Sequence, residues 1–155
     1  MIKRKEDGRT GREFIKCIAD TVREKCSQII KQSNFLSLLS DGSQARKTSK
    51  EKELILLRTQ RNGHPEYLVI SLLEMSRFGG ATANAIIDGI NSIFQDKKSK
   101  FYMSSDEFQS KVVSATADGA SVNFGQYSGV LSQLKEDRPW MLKMRCINRR
   151  VELSV

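Results

Sequence analysis

Apolar residues in this chain fall into two periodicities, and their order predicts a layered α/β domain. Phe14, Ile18, Val22, Cys26 and Ile29 recur at helical spacing from Arg12, which predicts a helix ending near Gln32 with this face toward a core. Phe35–Ser40 reads as a buried strand, and the polar run Gln44–Glu53 reads as a loop. Leu54–Gln60 and Tyr67–Leu73 alternate as strands around Asn62-Gly63, a strong two-residue hairpin signal. The sole histidine, His64, follows that turn and reads as a turn residue. The three segments make an antiparallel meander.

Gly79-Gly80 breaks the pattern. Ala83, Ile86, Ile87, Ile90, Ile93 and Phe94 then cover one arc of the clearest amphipathic helix in the chain. Asp106 and Glu107 read as structural charges at a loop and helix start. Lys111–Ala117 is a fourth strand, and Tyr127, Val130, Leu131 and Leu134 mark a short helix stopped by Pro139. Trp140–Ile147 is a fifth strand with Trp140 read as core, and Asn148 opens a last helix. Strand–helix–strand units call for parallel crossovers, so a mixed sheet of three antiparallel strands followed by parallel ones is expected. That is the order of a ribonuclease H-like fold. Residues 1–11 read as a flexible lead-in, and residues 12–155 as one domain.

Two aspartates stand just past strands in this scheme. Asp41 stands in Leu38-Leu39-Ser40-Asp41-Gly42-Ser43, and Asp118 in Thr116-Ala117-Asp118-Gly119. Singly, each Asp-Gly reads as a turn. Together, on strands expected to be neighbours, they can hold divalent ions for phosphoryl chemistry. No serine has a histidine partner in view, and no Gly-rich Lys-Ser/Thr phosphate loop is present.

Charge supplies the partner class. The chain carries 26 Lys+Arg against 18 Asp+Glu, a formal net charge of +8, which favours nucleic acid. Arg46, Lys47, Lys50 and Lys52, with Arg145, Arg149 and Arg150, are the candidate phosphate contacts. The odd number of cysteines (Cys17, Cys26 and Cys146) points away from a disulfide framework and toward a reducing compartment. No early apolar run escapes interruption by Lys or Arg, and none approaches the length of a membrane span.

Three segments resemble hAT-superfamily transposases and their domesticated relatives. Ser40-Asp41-Gly42-Ser43 resembles the first acidic motif of that family. Thr116-Ala117-Asp118-Gly119-Ala120-Ser121-Val122-Asn123-Phe124-Gly125 resembles the second. Arg145-Cys146-Ile147-Asn148-Arg149-Arg150-Val151-Glu152-Leu153 resembles the form His-Cys-x-x-His-Arg-x-Glu-Leu, with Arg145 and Arg149 standing in place of both histidines. The resemblance implies a truncated ribonuclease H-like core in which Asp41 and Asp118 are inherited catalytic ligands for Mg²⁺ or Mn²⁺. The family's third ligand is a glutamate far downstream that this chain does not reach. A domain without its own catalysis is therefore expected, acting in the nucleus on DNA or with chromatin or transcription proteins. Two alternatives stay open. One is a metal-dependent nuclease or strand-transferase completed by Glu152 or by an acid outside the chain. The other is a protein-interaction scaffold.

Overall fold

A computed structural model describes residues 8–45 and 50–146, with side chains described over 10–43 and 51–146. The order is α1 (Gly8–Gln32), β1 (Leu36–Ala45), β2 (Lys50–Arg61), β3 (His64–Glu74), a 3₁₀ turn (Met75–Phe78), α2 (Ala83–Phe94), α3 (Ser105–Lys111), β4 (Val112–Ala117), α4 (Ser121–Phe124), α5 (Val130–Lys135) and β5 (Leu142–Arg145). The strands form one mixed sheet in the order β3-β2-β1-β4-β5. β1 pairs antiparallel with β2 and parallel with β4, and β5 joins β4 in parallel. The expected α/β architecture is therefore present. No helix among the described residues is long and apolar enough to cross a membrane.

Local chemistry explains the turns. Asn62 (φ 51°) and Gly63 (φ 81°) both take the left-handed conformation that a tight primed hairpin demands. Thr82 caps α2 by accepting from the Ala85 amide at 3.2 Å, and Ser104 caps α3 by accepting from the Glu107 amide at 3.1 Å. Asp106 and Glu107 lie in the first turn of α3 and Lys111 in its last, matching the helix dipole.

Strand alternation sorts the sheet into two faces. Leu36 and Leu38 of β1, Ile55 and Leu57 of β2, Leu68 and Ile70 of β3, and Val112 and Ala115 of β4 are buried in one core with Ile86, Ile90 and Phe94 of α2 and Leu131 of α5. Residues of opposite parity, including Tyr67, Val69, Leu72, Leu142 and Met144, are exposed. Among the described residues the helices thus cover one face of the sheet and leave the other open.

Several expectations are corrected. Helix α1 begins at Gly8, inside the expected lead-in, because glycines at 8 and 11 weaken a helix without ending it. Its N-terminal face is not core: Phe14 (68% exposed), Ile18 and Val22 face solvent, and only the end around Cys26, Ser27 and Ile30 is buried. The expected loop Gln44–Glu53 is largely strand, with Gln44 opposite Glu51 and Ala45 opposite Lys50 in a hairpin that outruns the core. Trp140 is 60% exposed, and Met141 takes the buried place instead. β5 is shorter than expected, and Tyr127 lies outside α5 and is exposed. The expected last helix from Asn148 lies outside the described residues.

Candidate functional site

The two aspartates stand at one level, but only Asp118 follows its strand; Asp41, expected just past β1, lies within it opposite Leu54, because β1 continues to Ala45. In the parallel β1–β4 ladder the last registered pair is Leu39 with Thr116, and Asp41 and Asp118 each follow two residues later. Period-two alternation gives each the parity of its registered residue. Asp118 thus stands at the carboxyl end of β4, where α/β sheets present ligand-binding groups, and Asp41 lies where the parallel pairing with β4 has ended.

Each aspartate has a distinct setting. Asp41 is exposed, at the edge where β1 continues toward the hairpin. Asp118 is half-buried and held in place. Its Oδ1 accepts from the Ala120 amide at 3.1 Å and from Asn123 Nδ2 at 2.7 Å. Asn123 lies on the short α4, 4% exposed, and its own Oδ1 is buried without a hydrogen-bond partner. The turn after β4 therefore presents an oriented carboxylate.

A third carboxylate lies on the next strand, one that the sequence reading left inside a loop. Glu53 of β2 stands opposite Gly42 and is only 3% exposed. The Ser40 hydroxyl donates to its Oε1. A Cβ built on Gly42 would come within 2.8 Å of Glu53 Oε2, so glycine after Asp41 leaves room for this buried group. Burial pushes the Glu53 carboxyl above the ordinary glutamate range; the Ser40 hydrogen bond opposes that, and the charges of Asp118 and then Asp41 add to it.

This arrangement sets a pH dependence. Because the folded state holds the Glu53 proton to higher pH than the unfolded chain, stability is fullest below the ordinary glutamate pKa and falls as pH rises through the raised folded value. Glu53→Gln is expected to flatten that decline and to raise the urea midpoint at pH 7. A steeper decline in the variant would contradict the assignment.

Cations flank the same end. Arg145 of β5 pairs in register with Ala117, the residue before Asp118, and its guanidinium lies 4.9 Å from the centre of the Phe124 ring. Lys52 of β2 pairs with Ser43. Of the other basic candidates, Lys50 is placed in β2 opposite Ala45 without a described side chain. Arg46, Lys47, Arg149 and Arg150 lie outside the described residues, as does Glu152. His64, expected in the turn, instead opens β3 in register with Arg61, toward the opposite end of the β1–β2 ladder from Asp41.

The structure therefore brings Asp41 and Asp118 to one level and adds Glu53, Asn123 and Ser40 to their surroundings. Among the described residues, no three acidic, histidine or cysteine side chains are grouped to share one metal ion. Glu53 was legible in part: Glu53, Ile55, Leu57 and Thr59 alternate, and all four are buried. The charged residues before it disguised the strand's start. No protein-family model matches the chain, and no curated protein matches it significantly.

Proposed function

We propose that this chain is a nuclear nucleic-acid-binding domain on a ribonuclease H-like core of hAT-transposase type, engaging phosphates at the sheet end that carries Asp41 and Asp118. One observation carries this reading: two aspartates level on adjacent parallel strands, with Arg145 and Lys52 beside them. The strand order supports the ribonuclease H-like assignment, and the three motif resemblances support the family. The net charge of +8 supports a polyanionic partner.

Asp41 and Asp118 are the residues that would hold Mg²⁺ or Mn²⁺. Two carboxylates suit a magnesium-type ion, which keeps several waters and takes further ligands from phosphate. Bound there, the ion supplies Lewis-acid polarisation of a phosphate oxygen. Arg145 can donate two parallel hydrogen bonds to a phosphate, and Lys52 offers a point charge. Fluorescence anisotropy with a labelled DNA duplex at low salt tests the binding. Saturable, salt-sensitive binding is expected, and its absence would remove the reading in favour of a protein-interaction scaffold.

A second reading, a metal-dependent nuclease, is favoured by Glu53, a third carboxylate within electrostatic reach of both aspartates. Mn²⁺ titration by calorimetry on the wild type and on Asp41→Ala/Asp118→Ala, with plasmid nicking alongside, separates the two. For a binding domain with an inherited ion site, Mn²⁺ uptake lost in the double variant is expected, with no nicking in either protein. Nicking abolished by Asp41→Ala and by Glu53→Gln would establish the nuclease instead.

A further inference from the structure

We propose that a second surface of this chain, at the hairpin end of the sheet, takes unpaired bases of a single-stranded nucleic acid stacked against the ring of Phe35. Two hollows of about 370 and 450 Å³ adjoin there, both within the range of about 300–1,000 Å³ typical of small-ligand sites. They share Phe35, Thr59 and Gln60. Thr59 is buried and Phe35 is 68% exposed, so the Phe35 side chain forms the ridge between them. Its base is fixed from below. The Thr59 hydroxyl lies 3.1 Å from the Phe35 carbonyl and 2.9 Å from the Ser33 hydroxyl, which itself donates to the Ile29 carbonyl at 2.7 Å. These contacts tie the link between α1 and β1 against β2 and leave the ring in solvent.

The chemistry around the ring selects the occupant. Arg58 and Pro65 line one hollow, and Gln32, Asn34, Arg61 and Asn62 line the other. Among the described residues no acidic side chain lines either hollow, and neither arginine makes an ion pair. Each hollow thus holds one guanidinium suited to a phosphate, beside amides that both donate to and accept from base edges. Arg58 is in register with Tyr67 of β3, and its guanidinium lies 5.6 Å from the centre of that exposed ring. A second flat ring therefore stands on the same open face of the sheet, with Arg58 between the two. Bases in a duplex stack on one another, so a side-chain ring reaches only unpaired ones. Single strands are held in this way, with rings taking the bases and cations taking the backbone. An apolar protein partner would leave both arginines buried without an anion, at a cost that a phosphate backbone avoids. The surface lies toward the opposite end of the β1–β2 ladder from Asp41 and does not rest on the metal or duplex reading.

Fluorescence anisotropy with a short labelled single-stranded DNA of mixed sequence tests the surface. Phe35→Ala is expected to weaken binding about tenfold or more, the loss of one stacked base. Arg58→Gln/Arg61→Gln is expected to make the salt slope shallower by about 1.4, since each phosphate contact on a single strand contributes about 0.7. All three side chains are exposed, so circular dichroism should show an unchanged fold. Phe35→Leu keeps apolar bulk without a flat face and is expected to bind as weakly as Phe35→Ala. In Phe35→Trp/Trp140→Phe the chain carries one indole, at position 35, and the single strand is expected to quench its fluorescence. Lys52→Gln/Arg145→Gln, at the other end of the sheet, is expected to keep the Phe35 dependence, so duplex binding at the aspartates and single-strand binding here fail separately. A folded wild type that does not bind the single strand, a Phe35→Leu variant that binds as tightly as the wild type, or an indole at position 35 that is not quenched would overturn the proposal.

Discussion

Phe94→Ala is expected to cost about 3–5 kcal/mol of folding stability, the range for removing a fully buried aromatic. Phe94 ends α2 with 0% exposure, and its ring centre lies 5.3 Å from that of Phe108 on α3, tilted by 37°. Its carbonyl accepts from the Met103 amide at 2.8 Å, so the same residue anchors the chain that leads from α2 toward α3. Phe108 is in turn covered by the Arg138 guanidinium, 5.3 Å from its ring centre, on a residue only 5% exposed. Removing Phe94 leaves a cavity under Phe108 and loosens the packing beneath a buried guanidinium, so little relaxation can fill the space. Urea denaturation of the variant measures the loss. A change below about 1 kcal/mol would mean that the α2–α3 packing described above is not the core of this protein.

That core was legible because α2 announces itself. Ile86, Ile90 and Phe94 repeat at helical spacing, and all three are buried as the pattern predicts. The Asn62-Gly63 hairpin was legible because turn chemistry is a local constraint, and the adjacency of β1 and β4 was expected only from the strand order of a ribonuclease H-like fold. α1 shows where such reasoning stops. Its apolar stripe has the same period as that of α2, yet periodicity reports a face and not what meets it, and Phe14, Ile18 and Val22 meet solvent within the chain. Trp140 fails similarly, because its size argues for burial while its place just before an edge strand leaves it open.

The site divides along the same line. Asp41 and Asp118 could be read from their motifs and strand order, and the parallel register sets them level. Glu53 could not be read with the same ease. Its burial depends on pairing with Gly42 across β1 and on the Ser40 hydroxyl, which are contacts between segments rather than within one. Asn123 was visible in the second motif, but its hold on Asp118 depends on the turn into α4.

Neutralising Lys52 and Arg145 together is expected to weaken DNA binding and lower its salt dependence, because both lie at the sheet end that carries the aspartates. Each phosphate contact on a duplex contributes about 0.9 to the slope of log affinity against log salt, so two contacts contribute about 1.8. Arg145→Gln should have the larger effect on affinity, since its guanidinium is already steadied over Phe124 and loses less freedom on engaging a phosphate. Neither residue is in the buried core, so folding should be unchanged. The direct measurement is fluorescence anisotropy of a labelled duplex across a salt series, for the wild type and for Lys52→Gln/Arg145→Gln. A slope shallower by about 1.8, with affinity lowered in every sequence tried, is the expected result. A double variant with unchanged slope and affinity would contradict nucleic-acid binding at this end of the sheet.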